Sequence, residues 1–129
     1  MKVVIKDCMT TRLRIRNVAL VLIGVAVLLS KKWFSDSTGS LAHAYMGNVA
    51  ASFAVYFIVA LAAVPRLHGI WIAVVALVIV EAFELTNGFG VMTNVYDPFD
   101  YLANILGVAL AYIVDLASVR ILQARSSSS

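Results

Sequence analysis

Apolar residues fall into four stretches along the chain, and short polar segments separate them. The stretches cover residues 17–34, 41–64, 70–86 and 101–122. A bilayer core about 30 Å thick is crossed by roughly 20 apolar helical residues, and about 17 suffice when flanking residues reach the interface. The pattern therefore predicts an all-α fold, an integral membrane bundle of four transmembrane helices.

The segments outside these stretches complete the predicted organisation. Pro65 ends the second span because proline has no backbone N–H to donate within a helix. Residues 64–69 then form a tight turn, which makes spans two and three an antiparallel hairpin. Residues 1–16 are predicted to form a basic cytoplasmic leader, residues 17–122 one transmembrane domain and residues 123–129, which end in four serines, a disordered tail.

Composition supports a membrane protein. Of the 129 residues, 62% are hydrophobic and 13% are charged, whereas soluble domains carry about 25% charged residues. This balance excludes a soluble enzyme and a nucleic-acid-binding domain. The single cysteine, Cys8, excludes an intramolecular disulfide framework.

The basic residues predict the orientation in the membrane. If the N-terminus is cytoplasmic, eight of the ten Lys and Arg residues lie in cytoplasmic segments, and only Lys31 and Lys32 lie outside. Cytoplasmic loops carry an excess of Lys and Arg. We therefore expect both termini inside, with the long connection of residues 86–100 outside.

Acidic residues near the outer end of spans three and four are the main indication of function. Residues 67–119 contain no Lys or Arg but hold five of the seven acids, which are Glu81, Glu84, Asp97, Asp100 and Asp115. Acids at membrane depth are costly and often mark functional sites. Asp115 lies near the cytoplasmic end, within reach of water or Arg120, and is interpreted as structural. The other four predict an outer acidic pocket.

Spacing places further polar and small residues on the helix faces. Ala103, Gly107 and Ala111 recur every four residues, a pattern that lets membrane helices approach closely. We expect this ridge to pack span four against span three and to bring Glu84 near Asp100. Span two carries one polar face, interpreted as interhelical hydrogen bonding rather than a ligand path, formed by Tyr45, Asn48, Ser52 and Tyr56.

One segment resembles the signature of VanZ-like membrane proteins. Glu84 is followed, after a loop, by a D-x-x-A-N-x-x-G pattern formed by Asp100, Ala103, Asn104 and Gly107. The resemblance covers about residues 81–112. It departs from the family pattern in three ways. Asn87 replaces a Gln, and the connecting loop lacks an Arg. Of the family's upstream D-K-x-x-H-x-x-x-Y pattern, only the His is present, as His43.

The resemblance implies a protein of the bacterial plasma membrane and cell envelope. Founding members of the family are associated with resistance to the lipid-bearing glycopeptide teicoplanin, and most relatives have no assigned reaction. The implied function is binding of an envelope lipid or a lipid-linked small molecule, with catalysis and oligomeric state left open. The candidate pocket residues are His43, Glu81, Glu84, Asn87, Asp97, Asp100 and Asn104.

Two other functions fit the sequence, a small proton-coupled transporter and a non-catalytic membrane assembly subunit. The acidic pocket itself also has alternatives. Four carboxyl groups within 20 residues, with no base among them, cannot all stay ionised and unpaired in a partly dry pocket. We expect a shared proton or a hard cation such as Ca²⁺ or Mg²⁺, the alternative being pairing with Lys31 or Lys32.

The predicted topology can be tested by cysteine labelling in intact cells. In a background without Cys8, cysteines at Ser37 and Thr93 should react with an impermeant thiol reagent, because both positions are expected outside. A cysteine at Ser127 should react only after the cells are opened. Labelling of Ser127 but not Thr93 in intact cells would reverse the orientation.

Overall fold

The computed structural model describes residues 2–30, 40–63, 69–86 and 97–128, and these ranges are almost entirely helical. The helices are α1 (Lys2–Ser30), α2 (Ser40–Ala63), α3 (Gly69–Leu85) and α4 (Pro98–Ser127). No strand occurs in these ranges. The predicted all-α bundle is confirmed.

Both terminal helices extend beyond the predicted spans. The basic leader is part of α1, which is continuous from Lys2 to Ser30. The expectation of a disordered tail is wrong through residue 127, because α4 continues to Ser127. Serine is only weakly unfavourable in a helix, and the hydroxyls of Ser126 and Ser127 bond to carbonyls three residues earlier.

The helices alternate in direction. Side chains of α2 and α4 are joined in the same order along both helices, so α2 and α4 run parallel. Gly69, at the start of α3, lies beside Tyr112 halfway along α4, whereas Glu81, near the end of α3, lies beside Asn104 near the start of α4. Arg16, at the middle of α1, bonds to Asp115 in the second half of α4, and Leu28, near the end of α1, lines the same cavity as Asn104 near the start of α4. Helices α1 and α3 therefore run opposite to α2 and α4, and the helix ends nearest the two termini lie at one end of the bundle.

Within the described residues, three helices are long and apolar enough to cross a membrane, over Lys6–Ser30, Tyr45–Ala63 and Pro98–Ser127. Helix α3 has 17 residues, or about 25 Å at 1.5 Å per residue, close to the bilayer core. Because α2 and α4 begin at the same end, the chain must return between them, and α3 is the described element that returns it. This geometry supports four crossings.

Helix α2 lies at the centre of the bundle and packs along each of the other three helices. The buried core combines Tyr56, Phe57 and Ala60 of α2 with a stripe of α3 and two residues of α4, namely Ile72, Ala76, Val80, Val108 and Ala111. Large apolar side chains of α1, such as Leu22 and Leu29, are more than 60% exposed. In water such a surface would be unusual, whereas lipid accommodates it.

Gly107 lies where α4 and α2 approach most closely. A Cβ atom built on Gly107 would lie 2.5 Å from the Val49 carbonyl oxygen and 2.8 Å from the Ser52 Cβ atom. The expectation that this ridge faces α3 is therefore wrong at Gly107, although Ala103 and Ala111 are buried as a packing ridge requires. The reason is that small-residue spacing identifies a close contact but not the partner helix.

We expect Gly107→Ala to destabilise the bundle, because even one methyl group would meet the α2 backbone. Overpacking of this kind costs about 1–3 kcal/mol, and thermal unfolding of the purified protein measures it. Ala109→Leu is the matched control, since Ala109 is exposed on the same helix and its enlargement should be tolerated. Equal melting temperatures for Gly107→Ala and the wild type would contradict the close α2–α4 contact.

Candidate functional site

Three hydrogen bonds connect the polar face of α2 to the first two turns of α4, and we call these six residues the α2–α4 ladder. The Tyr45 hydroxyl donates to the Asp97 carboxylate at 2.9 Å, and the Asn48 amide donates to Asp100 at 2.7 Å. The Ser52 hydroxyl donates to the Asn104 carbonyl oxygen at 2.8 Å. The interpretation of the α2 face as interhelical hydrogen bonding is confirmed.

The ladder depends on matched helical spacing. Its residues are three and then four positions apart on both helices, and each bonded pair is separated by 52 residues. Residues at such intervals lie on one helix face. Two parallel helices with this same pattern can therefore meet at every step.

Asp97 and Asp100 have structural tasks at the start of α4. Asp97 is the N-cap, and its Oδ1 atom accepts the Phe99 amide at 3.0 Å while Oδ2 accepts Tyr45. Pro98 follows at the first helical position, where the missing N–H is not needed. Asp100 lies in the first turn, where a negative charge favours the helix dipole. Neutral donors from α2 satisfy both acids.

Beside the ladder lies a partly open cleft of about 340 Å³. Its walls are largely apolar and come from all four helices, with three polar residues in the lining, Ser52, Glu84 and Asn104. The apolar lining residues are Leu28, Ala51, Val55, Ile79, Val80 and Phe83. The cleft is thus shaped for an apolar chain next to a small polar group.

Glu81 lies one turn before Glu84 on α3, and its carboxyl group is enclosed by the bundle. Both carboxylate oxygens are buried, and neither makes a hydrogen bond within the described residues. The Asn104 side chain approaches Glu81 as a hydrogen-bond donor without completing a bond, and the Glu84 carboxyl group adds a like charge. Spacing alone predicted the shared face of Glu81 and Glu84, but not this enclosure.

The acids of the predicted pocket do not converge on one point. Among the described residues, no group of three His, Cys, Asp or Glu side chains is arranged to hold a metal ion. The Ca²⁺ or Mg²⁺ hypothesis therefore has no ligand set in the described part of the chain. The physical reason is that Asp97 and Asp100 turn toward donors on α2.

Some predicted site residues cannot be placed. Asn87 lies outside the described residues, as do Lys31 and Lys32, the alternative partners of the acids. His43 belongs to α2, but its side chain is not among those described.

A second polar group, which the sequence interpretation missed, lies near the other end of the bundle. We call it the Arg16 cluster, and it comprises Arg16, Asn17, Tyr56, Asp115 and Ser118. Arg16 forms an ion pair with Asp115 at 2.7 Å and donates to the Ser118 hydroxyl at 2.8 Å. Tyr56 donates to the other Asp115 oxygen at 2.7 Å. Three helices are thus joined at one point.

The Arg16 cluster corrects the expectation that Asp115 reaches water or Arg120. Asp115 is only 8% exposed, and its partner comes from α1. Arg16 also bonds to the Asn17 side chain and lies over the Phe57 ring at 5.9 Å. One signal in the sequence could have indicated the pair, because the start of span one and the end of span four must share one end of a four-crossing bundle.

Comparison with known proteins identifies no relative of this chain. No family model matches the chain, and searches of curated proteins and of solved structures find no significant match.

Removal of Asp115 alone should be more damaging than removal of the whole ion pair. Asp115→Leu leaves the Arg16 charge, which is 15% exposed, without a partner, and breaking a buried pair in this way costs about 3–5 kcal/mol. The double variant Arg16→Met with Asp115→Leu should recover most of that stability in thermal unfolding. Arg14→Met is the control, because Arg14 is exposed on the same helix. A double variant no more stable than Asp115→Leu would contradict this account.

Proposed function

We propose that the protein is a VanZ-like membrane protein of the cell envelope that binds an envelope lipid or a lipid-linked molecule in the cleft between its helices. The cleft carries this proposal, because it combines largely apolar walls with Glu84, Asn104 and Ser52. An apolar lining with a few polar groups is the usual design of a small-molecule site. An acyl or isoprenoid chain would contact the apolar wall, and its polar end would lie near Glu84.

Charge favours some ligands over others. Residues 67–119 contain no Lys or Arg, and the cleft lining includes an acid but no base. Among the described lining residues, an anionic headgroup would therefore meet no positive partner. A polar group rich in hydrogen-bond donors, such as the sugar hydroxyls of a lipid-linked saccharide or glycopeptide, is the better match.

The ladder supports binding at the cleft rather than at Asp97 and Asp100. Those two acids are occupied by Tyr45 and Asn48, and a ligand would have to displace donors that hold α4 in place. Asn104 belongs to both features, since it accepts from Ser52 and also lines the cleft. The ladder therefore positions one wall of the proposed binding site.

Photocrosslinking in lipid vesicles tests the proposal. A phospholipid with a photoactivatable acyl chain should label cleft residues such as Val55 and Ile79. Ala51→Trp should reduce this labelling at least about fivefold, since the indole would fill much of the cleft. Ala62→Trp should leave it unchanged, because Ala62 is exposed on the same helix.

Competition distinguishes specific binding from general lipid contact. An excess of a lipid-bearing glycopeptide should reduce labelling of the cleft, whereas a glycopeptide without an acyl chain should not. Labelling spread evenly over lipid-facing residues and unchanged by Ala51→Trp would overturn the proposed function.

A further inference from the structure

Glu81 differs from the other acids in the interior of the bundle. Asp97 and Asp100 accept hydrogen bonds from Tyr45 and Asn48, and Asp115 is paired with Arg16. Both oxygens of Glu81 are buried without a hydrogen bond among the described residues. A bare carboxylate in such a place would be strongly disfavoured, because burial removes water from its charge and no hydrogen bond among the described residues replaces that water.

Among the described side chains, the helices around Glu81 supply no compensating charge. On α3 the neighbouring charged group is Glu84, which is itself an acid, and on α4 the neighbouring group is the neutral Asn104 amide. The part of α1 from Val18 to Ser30 contains no titratable residue. The hydroxyls of Tyr45 and Tyr56 on α2 are bound to Asp97 and Asp115.

The arginine held inside the bundle is also out of reach. Arg16 is bonded to Asp115, which lies 11 residues beyond Asn104 along α4, or about 16 Å at 1.5 Å per residue. Moving Arg16 toward Glu81 would leave Asp115 without its cationic partner. Pairing of Glu81 with this cation would therefore break the Arg16 cluster.

We propose that Glu81 is a proton-binding site and that it carries its proton at neutral pH. The proton neutralises an interior carboxyl group whose two oxygens make no hydrogen bond among the described residues. Glu81 acts electrostatically on Asn104 and Glu84, and both of these line the cleft. Release of the proton would therefore make this side of the cleft more negative, which links the charge of the cleft to proton occupancy. The inference does not depend on which molecule the cleft binds.

Infrared spectroscopy of the full-length protein in lipid bilayers tests the proposal directly. The wild type at neutral pH should show the carbonyl stretching band of a protonated carboxyl group. Glu81→Gln should lose this band, because glutamine has the same shape but no carboxyl group. Asp7→Asn should retain it, since Asp7 is an exposed acid distant in the chain from the site.

Other outcomes of the infrared experiment would contradict the proposal. The proposal would be overturned if the wild type lacked the band. It would also be overturned if the band persisted in Glu81→Gln. A band lost in Glu84→Gln but kept in Glu81→Gln would assign the proton to Glu84 and also overturn it.

Thermal unfolding between about pH 5 and about pH 9 gives a second readout. The folded state retains the Glu81 proton at pH values at which the unfolded chain has released it, so the wild-type melting temperature should fall as the pH rises. Glu81→Gln should lose at least half of this fall, because its side chain stays neutral. An equal fall in the wild type and in Glu81→Gln would contradict the proposal.

Discussion

Polar side chains inside a membrane must find their partners within the protein, and the arrangement of this bundle depends on that constraint. Lipid offers neither donors nor acceptors, so an unsatisfied group is costly there. The α2–α4 ladder meets the constraint for six side chains at once. It also sets the register of two parallel helices, because a shift by one residue would separate every pair. Gly107 permits this register by letting the two backbones approach.

The Arg16 cluster applies the same constraint to α1. Much of α1 faces outward, and part of the helix, including Leu20 and Val21, packs against the core. Its close contacts are Gly24 against Ala50 and Ala54, and the bonds of Arg16 to α4. An ion pair in these surroundings is directional, because leaving either charge alone is costly. The pair therefore fixes both the depth and the rotation of α1.

The two polar groups have different consequences for function. In the ladder and the Arg16 cluster, the acids hold helices together. Asp97, Asp100 and Asp115 therefore have a structural role. Glu84 lines a cleft to which all four helices contribute, and Glu81 lies one turn before it on α3. The two proposals therefore concern one region of the bundle. An apolar chain would bind in the cleft, and a proton would bind to the buried carboxyl group beside it.

The sequence by itself determined the helical class, the approximate spans and the polar face of α2, because hydrophobic length and helical periodicity are local properties. It also identified the small-residue ridge of α4, whose spacing requires no knowledge of its neighbour. Only the tertiary structure decided that Gly107 meets α2, that Asp115 pairs with Arg16, and that Asp97 and Asp100 accept hydrogen bonds from α2. These outcomes depend on which helices lie side by side and how each is rotated. Residues 52 or 99 positions apart become partners only when the whole bundle is assembled.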